Sequence, residues 1–167
     1  MARAVGDGPV STDPKARRAS RMAAVQALYQ MELSGGGAEE VADEFIAHRF
    51  DEFSDTQPDG DFFSAIVTGV PVHQVEIDKA IAACLSEKWT MTRIDSILRA
   101  ILRCAAFELI ARRDVPAKVV IDEYVAIARD FFSGDEPGFV NGALDTIARR
   151  KRAKEFGLPV PDDELDF

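Results

Sequence analysis

Cysteine, histidine and tryptophan are scarce in this chain: two, two and one among 167 residues. Cys84 and Cys104 lie too far apart for a CxxC ligand pair, and each falls in an apolar helical pattern, so both read as reduced core thiols. His48 and His73 stand in unrelated helical contexts and read as surface or boundary residues. With no HExxH pair, no paired CxxC and no aspartate-rich loop, nothing supports a metal site. No GxSxG nucleophile turn and no GxxxxGK[ST] phosphate loop occurs. The run Gly35-Gly36-Gly37 has neither a following lysine nor a preceding strand, and reads as a linker. No apolar stretch approaches the roughly 20 residues that cross a bilayer. No N-terminal segment joins a basic start to an apolar run, as an export signal does. These absences point to a cytosolic binding protein without cofactor or metal, and away from an enzyme.

Charge is abundant but lopsided. Twenty lysines and arginines face 29 acids, for a formal net charge of -9. A uniformly acidic surface repels phosphate, so any nucleic-acid contact needs a confined basic face. Two clusters could supply one. Lys15, Arg17, Arg18 and Arg21 form a basic patch that no acid interrupts between Pro14 and Met31. Arg149, Arg150, Lys151, Arg152 and Lys154 form the other. Acid gathers in Glu39 to Asp61 and in Asp162, Asp163, Glu164 and Asp166. Solvated helix ends are the plainer explanation of both clusters.

The order of apolar residues is helical throughout. Met22, Val25, Leu28 and Tyr29 give one face of a first helix starting at Lys15, which the three glycines end. A second helix runs from about Ala38 to Phe53, with Val41, Phe45 and Phe50 inward, and Ser54 to Asp59 is a loop. Phe62, Phe63, Ile66, Val67 and Val70 begin a third segment that Gly69 and Pro71 should kink or break. The pattern resumes at Ile77, Ile81, Cys84 and Leu85. Thr92 and Asp95 form a capping box before the strongest helix. There Ile94, Ile97, Leu98, Ile101, Leu102, Ala105 and Leu109 make a stripe wide enough for a central position. Asp114-Val115-Pro116 ends that helix and starts the next, whose buried face is Val120, Tyr124, Ile127, Ala128 and Phe131. Asp135 is a candidate N-cap for a last helix carrying Val140, Ala143, Leu144 and Ile147. Period-two alternation never persists, so the fold is all-α: a compact bundle of six or seven helices.

Four segments together resemble the NusB family of transcription antitermination factors. They are Arg17-Arg18-Ala19-Ser20-Arg21 running into Ala24-Val25-Gln26-Ala27-Leu28-Tyr29; Ile101 to Leu109 (ILRCAAFEL); Asp114 to Glu123 (DVPAKVVIDE); and Phe139 to Asp145 (FVNGALD). Each alone is a common helical pattern; four in order across about residues 15 to 150 are specific. The resemblance implies two packed three-helix-type subdomains, about 15–88 and 89–155. Outside it lie an arm over 1–14, read as disordered from its glycines, prolines and low apolar content, and an acidic tail over 156–167. The resemblance also implies binding of boxA-type single-stranded RNA from ribosomal RNA operons, together with the ribosomal protein NusE, in the RNA polymerase antitermination complex. Two other readings compete. One is the NusB-like domain of an rRNA cytosine methyltransferase, but no alternating strand–helix pattern follows Arg152. The other is a structural dimerisation bundle without RNA affinity; monomer and homodimer both fit the sequence.

Carried over residue by residue, the resemblance places RNA contacts at Arg17, Arg18, Arg21, Lys118, Asp135 and Phe139, and a partner contact at Tyr29; Lys15 joins them as a member of the same basic patch. Arg17 or Arg18 shares a helix side with Arg21, so two guanidinium groups can meet adjacent phosphates. Cations at a helix N-terminus oppose the macrodipole, a conflict that an anionic ligand would remove. Phe139 either stacks on a base or packs in the core. Asp135 either accepts from a base amino group or caps a helix. Tyr29 either faces the partner or is buried with its hydroxyl satisfied. Ala19 and Ser20 stand where many relatives add another arginine.

Overall fold

The computed structural model describes residues 13–53, 56–86 and 90–161. The arm expected over 1–14 therefore lies outside the described residues except for Asp13 and Pro14, as do the acids at 162–166.

Helix α1 spans Pro14–Ser34. Its start is set by Asp13, whose Oδ1 accepts the Lys15 amide at 3.0 Å, and by proline in the first turn. Gly35 ends it at φ 74°, a left-handed conformation that glycine adopts without a Cβ penalty. Ala23, Ala24 and Ala27 are fully buried, and these small side chains let α1 lie close against its neighbours α3 and α5.

The single helix expected over Ala38 to Phe53 changes pitch twice. Helix α2 (Ala38–Glu44) passes into a π-helical turn, Phe45–Arg49, and then a 3-10 turn, Phe50–Glu52. Five residues of regular α-helix would turn Phe50 well away from Phe45. The wider turn, closed by the Phe50 amide on the Phe45 carbonyl, brings residues five apart into line. Both rings are buried and both pack on Phe63, at centroid distances of 5.8 and 5.1 Å.

Helix α3 (Gly60–Val72) is capped by Asp59, whose Oδ1 accepts the amides of Asp61 and Phe62. Pro71 sits in its last turn, and the break comes at His73, where α4 (Gln74–Ala82) takes over. Gly69 is fixed by packing: a Cβ there would lie 2.3 Å from the Phe107 ring. Gly69→Ala is expected to cost about 1–3 kcal/mol by overpacking, visible as a lower melting temperature with native helicity retained.

Helix α5 (Ser96–Ala111) occupies the centre and touches α1, α3, α4, α6 and α7. Its cap is Asp95 itself, which accepts the Ile97 and Leu98 amides. The cap thus falls three residues later than the expected box, with Thr92 outside it. Helices α6 (Ala117–Phe131) and α7 (Glu136–Lys151) complete the bundle. Pro116 precedes α6 as its N-cap, and Phe131, expected inward, ends α6 at 36% exposure. Buried residues from all seven helices join one apolar cluster, and that cluster includes residues from both expected halves. Among the described residues there is no strand. No described helix is long and apolar enough to cross a membrane.

Candidate nucleic-acid interface

The four basic residues at the start of α1 do not form one exposed face. Arg21 is 2% exposed, and its Nε and Nη2 donate to the two carboxylate oxygens of Glu108 at 2.8 and 2.9 Å. Glu108 is fully buried on α5 and also accepts the Tyr124 hydroxyl at 2.5 Å. Burial alone would lower the Arg21 pKa; the Glu108 hydrogen bonds and charge outweigh it and hold the guanidinium above its ordinary value. The expectation that Arg21 meets RNA phosphate is corrected accordingly: its charge is spent inside the bundle, where an unpaired ion would be prohibitive.

Arg17 is also largely enclosed, with a side chain 12% exposed and its guanidinium 4.4 Å above the Phe62 ring. Burial, then the nearby charge of Arg112, lowers its pKa, while Asp114 at 4.0 Å pulls the other way. Arg18 is different. Its side chain is 61% exposed, and its Nε and Nη2 bind Glu123 of α6 at 3.1 and 3.0 Å. Lys15 is exposed too, and its ammonium makes no ion pair among the described residues. The outward charge at this end of the molecule is therefore Lys15 and Arg18. The conflict with the α1 dipole is relieved from within, by Asp13, Glu123 and Glu108.

The remaining sequence candidates spread along α6 and α7. Lys118 is exposed in the first turn of α6. Asp135 and Phe139 lie past its far end, about 20 Å away by helical rise. Asp135 is exposed at the N-cap position of α7, but its side chain makes no capping hydrogen bond. Its backbone is helical, φ -83° and ψ -7°, where the capping geometry needs an extended residue. Phe139 is half-buried against the core, so both of its readings keep part of the ring. Tyr29 is half-buried on α1. Cys84 and Cys104 are free, the first half-buried and the second buried. No described group of three or more His, Cys, Asp or Glu is placed to hold a metal ion.

The second basic cluster is also partly internal. Arg152 is 3% exposed and donates to the carbonyls of Glu108, Leu109, Arg112 and Val115, closing the C-terminal end of α5. Glu155, three residues on, accepts the Ala117 amide at 2.9 Å and so serves the first turn of α6. A cation thus meets a helix C-terminus and a carboxylate a helix N-terminus, as the dipoles require. Arg149 pairs with Asp145 and Lys151 with Glu76. One sequence signal for these buried ions was available: Glu108 sits among the most apolar residues of α5, and a carboxylate at such a position needs an enclosed cation.

This all-helical fold is shared with solved structures of antitermination factors. The Thermotoga structure described as T. maritima NusB superposes with a TM-score of 0.69 at 30% identity, over 85% of this chain and 97% of that one. A crystal structure of antitermination factors NusB and NusE in complex with dsRNA matches with a TM-score of 0.69 at 23% identity, over 81% and 97%, and speaks for the fold. A model of the NusB family matches residues 18–149. The transcription antitermination protein NusB of Maricaulis maris is 48% identical over 160 residues, covering 93% of this chain and 100% of that protein. Its counterpart in Caulobacter vibrioides is 50% identical over 140 residues, covering 81% and 94%. The chain belongs to the NusB family.

Proposed function

We propose that this protein is a transcription antitermination factor that binds boxA-type single-stranded RNA of ribosomal RNA operons together with the ribosomal protein NusE. It acts in the cytoplasm, within the RNA polymerase antitermination complex, as a binding protein without catalytic chemistry. The observation that carries this reading is the outward pair Lys15 and Arg18 at the leading end of α1, on a chain of net charge -9 that belongs to the NusB family. Such a protein attracts RNA only where cations are concentrated and accessible. Arg17 contributes charge from behind the surface. Lys118, Asp135 and Phe139 extend the contact along α6 to the start of α7, and Tyr29 supports the protein partner. Arg21 acts by holding α1 to α5.

The test uses binding isotherms for boxA-like and scrambled oligonucleotides, with and without NusE, across a salt series. The double variant Lys15→Ala, Arg18→Ala is expected to weaken boxA binding and to flatten the salt dependence by roughly 0.7 in log–log slope per lost phosphate contact. Unchanged affinity and slope would remove the basic face from the reading. Equal affinity of the wild-type protein for boxA and scrambled RNA, with NusE present, would leave a helical bundle without this function.

A further inference from the structure

A groove of about 740 Å³ runs beside the basic end of α1, between that helix and the end of the 3-10 turn. Lys15, Arg18 and Met22 follow one another at spacings of three and four residues, so a single face of α1 makes one wall. Glu52 and Phe53 contribute the other. The volume suits a small planar ligand with its substituents.

The chemistry is graded across the groove. Lys15 carries a charge without an internal partner among the described residues. Arg18 commits Nε and Nη2 to Glu123, which fixes the side chain and leaves the Nη1 edge outside that pair. Met22 and Phe53 are half-buried and apolar, with Phe53 braced by the edge of Phe50 at a centroid distance of 6.5 Å. Glu52 is 61% exposed and paired on one oxygen with Arg49 at 2.9 Å. A carboxylate beside two cations is unfavourable for a bare phosphate. It suits a ligand that bears an amino group at one end and a phosphate at the other.

We infer that this groove is a nucleotide subsite for single-stranded RNA: one base stacks on Phe53 beside Met22, its phosphate meets Lys15 and Arg18, and an exocyclic amino group donates to Glu52. The inference rests on the RNA-binding reading above and adds Met22, Glu52 and Phe53 to it. Stacking is tolerant of sequence because every base has a π-face. The Glu52 contact supplies selectivity against uracil at this one position, since adenine, cytosine and guanine each carry an exocyclic amino group that can donate to a carboxylate and uracil carries none.

The test measures the affinity of a boxA-type RNA oligonucleotide for the full-length protein and for Phe53→Leu, Lys15→Ala and Glu52→Ala, with melting curves to confirm folding. Leucine keeps the apolar contact with Phe50 but has no ring to stack on. Phe53→Leu is expected to weaken binding roughly fivefold to a hundredfold with the salt slope unchanged. Lys15→Ala should flatten the slope instead, and Glu52→Ala should erase the preference for an amino-bearing base in a scan of single base changes. If the wild type binds RNA and both Phe53→Leu and Lys15→Ala bind it equally well, the subsite is wrong and the antitermination reading stands on its other contacts. If Phe53→Leu spares RNA binding but abolishes NusE binding, the groove belongs to a protein and the inference fails. If the wild type shows no RNA binding, both readings fall together.

Discussion

Arg21→Ala is expected to lower the unfolding free energy by about 3–5 kcal/mol, because it strands a buried carboxylate. Glu108 is fully enclosed, and Arg21 is its bidentate partner across α1 and α5. With the cation gone, the Tyr124 hydroxyl alone cannot compensate the charge, and Glu108 must take up a proton or draw in water. The measurement is urea unfolding at neutral pH, where the midpoint should fall with little change in slope. A companion variant, Arg21→Met with Glu108→Gln, removes both charges and keeps an acceptor for Tyr124. It should recover most of the loss, because removing both partners avoids the uncompensated ion. A single variant as stable as the wild type would mean that Arg21 is held there by something other than its charge. RNA binding lost in Arg21→Ala should return to the extent that the fold does, in contrast to Lys15 and Arg18.

The second large effect is expected at Arg152. Its guanidinium satisfies four main-chain carbonyls at the end of α5 and in the turn to α6. Arg152→Ala leaves the Leu109 and Val115 carbonyls enclosed or served by intruding water, while those of Glu108 and Arg112 keep the amides of Arg112 and Val115. It should destabilise by on the order of 3 kcal/mol, given about 1–3 kcal/mol for each group left unsatisfied. Arg152→Lys should recover little, since one ammonium cannot span four acceptors with the reach of a planar fork. Hydrogen exchange gives the sharper readout. The amides of the α5–α6 turn and the first turn of α6 should lose protection before the centre of α5 does. Uniform loss of protection over the whole chain would instead mark Arg152 as part of the global core.

Much of the fold was legible because it is written in local periodicity. The stripe from Ile94 to Leu109 identified the central helix, and the glycines from Gly35 mark the end of α1 by chemistry that acts within a few residues. The π-helical turn was invisible, since a five-residue spacing between Phe45 and Phe50 reads as one residue out of place on an ordinary helix. The candidate site was legible in composition and not in accessibility. Arg17, Arg18 and Arg21 look alike in sequence, yet one is stacked on Phe62, one reaches the surface and one is buried, because Glu108 and Glu123 come from helices 87 and 105 residues further on. Local pattern carries no record of such partners. The apolar neighbours of Glu108 were the available hint, and the same reasoning did not extend to Arg152, whose neighbours are mostly charged.

The plug formed by Arg152 and Glu155 sets an order of events during synthesis. A chain leaves the ribosome from its N-terminus, and domains fold as their parts emerge. Helix α5 can gather α1, α3 and α4 early, and Arg21 can find Glu108 as soon as α5 is out. Its Leu109 carbonyl, the Val115 carbonyl in the turn and the first amide of α6 wait for residues 152 and 155. The nascent protein thus carries an unfinished seam at its centre until α7 and the turn that follows it have emerged, and only then is the bundle locked.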